Sequence, residues 1–173
     1  MSPAASSALS PVKAERLYWL GRYVQRAIAG SPTDPDLTNA SEEGSLAFNV
    51  TRAYENGFLL RDILDNDVFA YLRLAMTKVE ALSPGDYLGV REVRDQLYAF
   101  WGILEEALSP EIEAFCRWGR FLELAEARTP EGALIDDASW KNLAWCWSVL
   151  GTGEPGRTVP EVEQWFGRPW RAP

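Results

Sequence analysis

Apolar residues recur at three- and four-residue steps along nearly the whole of this 173-residue chain, the spacing that lines up one face of a helix. Leu17, Leu20, Val24 and Ala27 define a first helix, which the glycine and prolines of "GSPTDPD" must end. Residues 30–44 then read as a polar loop. A second helix is expected over 45–64, with Leu46, Val50, Ala53, Gly57, Leu60 and Leu64 inward. Asp65 or Asp67 is expected to cap a third, which "SPGD" stops. A fourth spans 87–108 on Val90, Val93, Leu97, Trp101, Leu104 and Leu108. "SPE" at 109–111 starts a fifth, with Ser109 as cap, Pro110 in the first helical position and Glu111 in the electropositive first turn. That helix runs to Arg128, and a sixth occupies 137–150, stopped by Gly151. A short helix is expected near 160–166, with Trp165, Phe166 and Trp170 pinning the tail. No stretch alternates with period two for the length of a strand. The pattern predicts an all-α fold: a compact bundle of about six helices over 12–150, a flexible segment at 1–11, and an irregular C-terminal tail at 151–173 packed on the bundle.

Two stretches echo one another. "LGRYVQRA" (20–27) is matched by "WGRFLELA" (118–125), pairing Gly21 with Gly119, Arg22 with Arg120, Tyr23 with Phe121 and Ala27 with Ala125. A shorter echo links "RDIL" (61–64) to "RDQL" (94–97). A glycine inside a helix costs roughly 1 kcal/mol relative to alanine, so two at matching places call for a compensating gain. The simplest is a tight crossing of the first and fifth helices, backbone against backbone. Arg22 and Arg120 would then be partly desolvated and would require carboxylate partners.

Composition narrows the chemistry. Lys+Arg 17 against Asp+Glu 25 gives a formal charge of -8, a surface that repels phosphate backbones and anionic lipid headgroups, so neither a nucleic-acid nor a membrane partner is expected. The chain has no histidine, which removes Ser-His-Asp and Cys-His catalysis and most imidazole metal sites. Cys116 and Cys146 lie too far apart for a zinc motif, sit among apolar residues and read as reduced, buried thiols. No glycine-rich phosphate loop is present, and no cofactor or metal is expected. The amino terminus lacks a basic flank and an apolar core, and no run is long enough to span a bilayer, so a cytoplasmic protein is expected.

"AERLYWLGRYVQRA" (14–27) resembles the opening motif of the bacterial alpha-E domain family, A-E-x-L-[YF]-W-L-G-R-Y-x-E-R-A-E. "RAYENGFLLRDIL" resembles that family's A-R-E-N-A-x-x-x-R-D-x-L, "FCRWGRFLELAEAR" its F-x-x-L-G-R-Y-L-E-R-A-D, and "DDASWKNLAWCW" its D-x-x-x-W-x-x-L-L, in the family's order. The resemblance implies an all-helical fold. It also implies an association with circularly permuted ATP-grasp ligases and transglutaminase-like proteins, in systems that make or modify peptide bonds. Gln25 and Ile28 stand where the family pattern carries glutamate, Glu123 is kept, and Glu126 replaces aspartate. These departures describe a short, diverged member.

Two readings of function follow. One is a non-enzymatic accessory or interaction subunit, with aromatic surface from Tyr18, Trp19, Trp140, Trp145, Trp147, Trp165 and Trp170 available to a protein partner. The lost glutamates favour it. The other is an enzyme acting on a peptide or amino-acid carboxylate through a polar cluster between the first, second and fifth helices. Glu15, Arg22, Arg52, Asn56 and Arg120 would bind there, with Glu55 or Glu123 as general base. A homo-oligomer is compatible with either reading.

Overall fold

The computed structural model describes residues 9–29, 38–128, 134–150 and 156–162. Among the described residues the longer helices are α1 (Pro11–Ala29), α2 (Leu46–Leu59), α3 (Asn66–Glu80), α4 (Tyr87–Ala107), α5 (Pro110–Arg128) and α6 (Asp137–Leu150). The all-α expectation holds, and α2 to α6 each begin within two residues of the expected start. Ser45 caps α2 by accepting from Phe48 N at 3.0 Å, and Asp65, rather than Asp67, caps α3. Asp86 does the same for α4 through Gly89 N, at 2.9 Å. Ser109 closes the first turn of α5 through its carbonyl, which accepts from Glu113 N at 3.0 Å.

One boundary differs. α2 stops at Leu59, five residues short of the expected 64. There Leu60 N donates to Gly57 O, and Ile63 N and Leu64 N both donate to Leu60 O, so the chain tightens into a turn. Leu60 and Leu64 remain buried, which is why apolar spacing alone carries the helix too far.

α1 lies at the centre, packed on α5 along one side and on α2 along another; α3 joins α2 to α4, and α6 packs on α5. Leu17, Leu20, Val24 and Ala27 are at most 1% exposed, so the predicted inward face of α1 is its buried face. Of the inward residues expected on α4, Val90, Val93, Leu97, Trp101 and Leu104 are buried and Leu108 half-buried against the same core. Burying one such leucine stabilises by about 2 kcal/mol. One core runs through α1 to α4; a second gathers Tyr18, Trp118, Leu122, Leu143, Cys146 and Trp147 between α5 and α6. Val159 and Val162 close that second core from a helical turn at 159–162. Thr158 and Glu161 cap the turn reciprocally: Glu161 N donates to Thr158 Oγ1 at 3.3 Å, and Thr158 N to Glu161 Oε2 at 3.1 Å. These bonds hold the Glu161 carboxyl below its ordinary pKa. The segment 1–8 and the pinning residues Trp165, Phe166 and Trp170 lie outside the described residues.

Cys116 and Cys146 are free and fully buried. Burial raises both thiols, Cys146 to about 12, so neither forms thiolate at neutral pH. A soluble disulfide reagent at pH 7.5 should therefore modify neither cysteine in the folded protein and both in urea. Fast modification of the native chain would contradict the packing described.

Candidate functional site

The site is the crossing of α1 and α5, and glycine makes it. A Cβ built on Gly21 would overlap the Cys116 carbonyl oxygen, 2.9 Å from the carbonyl carbon and 3.2 Å from Arg120 N. A Cβ on Gly119 would overlap the Tyr18 carbonyl oxygen, 3.0 Å from its carbon and 3.1 Å from Arg22 N. The contacts are reciprocal under the sequence echo, which pairs Tyr18 with Cys116, Gly21 with Gly119 and Arg22 with Arg120. The two helices therefore meet across a local two-fold, each glycine receiving the other helix's backbone.

The side chains around the two-fold are not symmetric. Arg22, one residue after its glycine, is 4% exposed. Its Nε lies 2.7 Å from Glu123 Oε2 and its Nη2 2.5 Å from Glu126 Oε2, while Nη1 donates to Tyr18 Oη at 2.9 Å. Arg26, one turn on, donates from Nε to Glu123 Oε1 at 2.9 Å. Glu123 is thus held between two guanidiniums, and both guanidiniums lie within 6 Å of the Trp19 ring. This is how a buried arginine is made tolerable: both ends of the fork meet carboxylates.

On the other half, the two-fold sets Arg120 opposite Gln25 and Ile28, the counterparts of Glu123 and Glu126. Arg120 lies 4.9 Å over the Trp101 ring on α4. Among the described residues no carboxylate forms an ion pair with it, and its Nε, like Gln25 Oε1 and Trp101 Nε1, is buried without a hydrogen-bond partner. Burial lowers the Arg120 pKa, partly opposed by Glu105 and Tyr98, yet an arginine stays charged at neutral pH.

The single cluster expected between α1, α2 and α5 does not form. Arg22 and Glu123 meet, but Arg120 is on the opposite half. Arg52 and Glu55 are exposed and pair with each other along α2 at 3.3 Å. Asn56 donates to Arg52 O, and Glu15 is exposed near the start of α1. The reason is rotational: α2 buries Val50, Ala53 and Gly57, which turns 52, 55 and 56 off that stripe. An exposed pair of this kind contributes little to stability. Arg26 and Glu126 belong to the cluster and were not among the expected site residues. Their signal was spacing, since Arg26 follows Arg22 by one turn and Glu126 follows Glu123 by three residues.

At the echoed positions one turn after each glycine, neither helix sets Glu beside Arg; the adjacent pair Glu15-Arg16 lies earlier on α1. α1 reads Gln25-Arg26 and α5 reads Glu123-Leu124. The structure joins the two survivors, Arg26 to Glu123, across the helices.

Among the described residues no group of three or more His, Cys, Asp or Glu is placed to hold a metal ion, and no helix is long and apolar enough to cross a membrane. No curated protein and no solved structure matches the chain. A family model does match, over residues 34–130; its description is a predicted alpha-helical domain with a conserved ER motif. That stretch covers α2 to α5, including Gly119, Arg120 and Glu123, and leaves the opening motif on α1 outside. The match takes in more than half of the sequence, and the chain belongs to the alpha-E family.

Proposed function

We propose that this chain is a non-enzymatic accessory or interaction subunit of a cytoplasmic peptide-bond-forming or peptide-modifying system. The partner class is an ATP-grasp ligase or a transglutaminase-like protein, as the resemblance at 14–27 and 52–64 implies. The observation that carries the reading is the state of Glu123. It is the best-placed candidate for a general base, and it is clamped between Arg22 and Arg26. Oε2 faces the Arg22 guanidinium and Oε1 that of Arg26, so both oxygens are turned to internal counter-charges rather than presented to a substrate. The other candidate, Glu55, stands on an open surface with no converging groups beyond Arg52. Of the aromatics expected to offer surface, Tyr18 and Trp147 are buried in the second core, whereas Trp145, with Tyr87 and Tyr98, is exposed and offers contact area of the kind interfaces favour.

The test immobilises the purified chain and passes over it the ATP-grasp ligase and the transglutaminase-like protein from the same genome. Retention of one of them is expected, and Glu123→Gln, if folded, should retain it equally. Peptide turnover by the chain alone that Glu123→Gln abolishes would overturn the reading, as would failure to retain either protein.

A further inference from the structure

The two halves of the crossing differ in what they supply to their arginines, and the difference points outward. On one half Arg22 receives two carboxylates from α5. On the other, the two-fold makes Gln25 and Ile28, an amide and an alkyl group, the counterparts of those carboxylates. Gln25 is 5% exposed, and the buried Nε–H of Arg120 is a donor without a hydrogen-bond partner. The rest of the Arg120 side chain is half-buried, so the guanidinium is held against Trp101 while reachable from outside.

We infer that Arg120 and Gln25 form a binding subsite for a carboxylate supplied from outside the chain. A guanidinium stacked on an indole has lost most of its rotational freedom, so its fork is presented ready-made to a planar anion. The Gln25 amide adds N–H donors where Glu123 adds negative charge on the other half. A bound carboxylate there would restore the pairing that Arg22 has internally. Carboxylate fits better than phosphate, because the negative charge of Glu105 acts on Arg120 and the chain carries a formal charge of -8, which together disfavour a dianion. Arg117, also near Arg120, is engaged by Glu105 and Glu113. The carboxylate is either a small free acid or the carboxyl end of a polypeptide; only the second source rests on the interaction-subunit reading.

The Nε–H resonance of Arg120 in arginine-¹⁵N-labelled protein reads the site directly. Propionate stands for a free acid, N-acetylglycinate for a chain end, N-acetylglycinamide for its neutral control, and inorganic phosphate for the competing class. Both carboxylates are expected to shift the resonance saturably, and the amide is not. A chain-end source is assigned if N-acetylglycinate binds at least roughly tenfold more tightly than propionate, and a free acid otherwise. Gln25→Glu should fill the site from within, abolishing the response and raising the melting temperature. Arg120→Lys, followed by calorimetry with N-acetylglycinate, should lose binding, since a point charge cannot replace the fork. An Arg120 resonance unmoved by either carboxylate, a stronger response to phosphate, or undiminished binding in Gln25→Glu or Arg120→Lys would overturn the subsite. Ligase retention alongside a silent Arg120 would remove this subsite and leave the accessory reading standing.

Discussion

Replacing Gly21 by alanine is expected to destabilise the protein by about 3 kcal/mol, among the largest effects of any single methyl addition in this fold. The added Cβ would coincide with the Cys116 carbonyl oxygen, a backbone atom in mid-helix. It cannot swing aside like a side-chain end, so the helices must separate and the core between them loosens. For a chain of this length the melting temperature should fall by roughly 10 °C. Gly119→Ala meets the Tyr18 carbonyl in the same way and should cost a similar amount. The double variant should cost clearly less than the sum, because helices already forced apart accept the second methyl more readily. Gly102→Ala is the internal control. A Cβ there meets nothing within 4 Å, so alanine in that exposed helical position should stabilise by roughly 0.5–1 kcal/mol. Thermal melts of the four variants check the set, and a neutral Gly21→Ala would refute the close crossing.

The second large effect is expected at Arg22. Arg22→Met keeps most of the buried stem but leaves Glu123 and Glu126 without their shared guanidinium. Stripping one partner from a buried charge cluster costs about 3 kcal/mol, mostly the penalty on the charges left behind. Arg26 still contacts Glu123, so the loss should stop short of unfolding the chain at room temperature. Adding Glu123→Gln to Arg22→Met should recover part of the stability by removing one stranded charge. Urea denaturation at low and high salt checks both variants. An Arg22→Met protein as stable as the parent would mean that the cluster is solvated and contributes nothing.

The crossing was legible in the sequence because mid-helix glycine is costly, and two glycines in matching surroundings signal one shared cause. The helix starts were equally plain, since Ser45, Asp65 and Pro110 act locally. The end of α2 was not, because Leu60 and Leu64 keep the helical period while the backbone turns beneath them. The site was half legible. Arg22 and Glu123 lie on buried faces whose crossing the echo predicts. Arg52, Glu55 and Asn56 have equally suggestive spacing, yet only the rotation of α2 about its axis decides that they face away. The contrast between Arg22 and Arg120 needed the two-fold, because only that operation reveals Gln25 and Ile28 as the counterparts of Glu123 and Glu126.

The crossing buries Arg22 and sets Glu123 beside it as an internal counter-charge. A double-mutant cycle between Arg22→Met and Glu123→Gln, followed by urea unfolding, measures that coupling directly. The expected result is a coupling above about 1 kcal/mol, with each single variant destabilised. Single effects that add to within about 0.5 kcal/mol would show the two residues to be energetically independent, and would contradict that pairing.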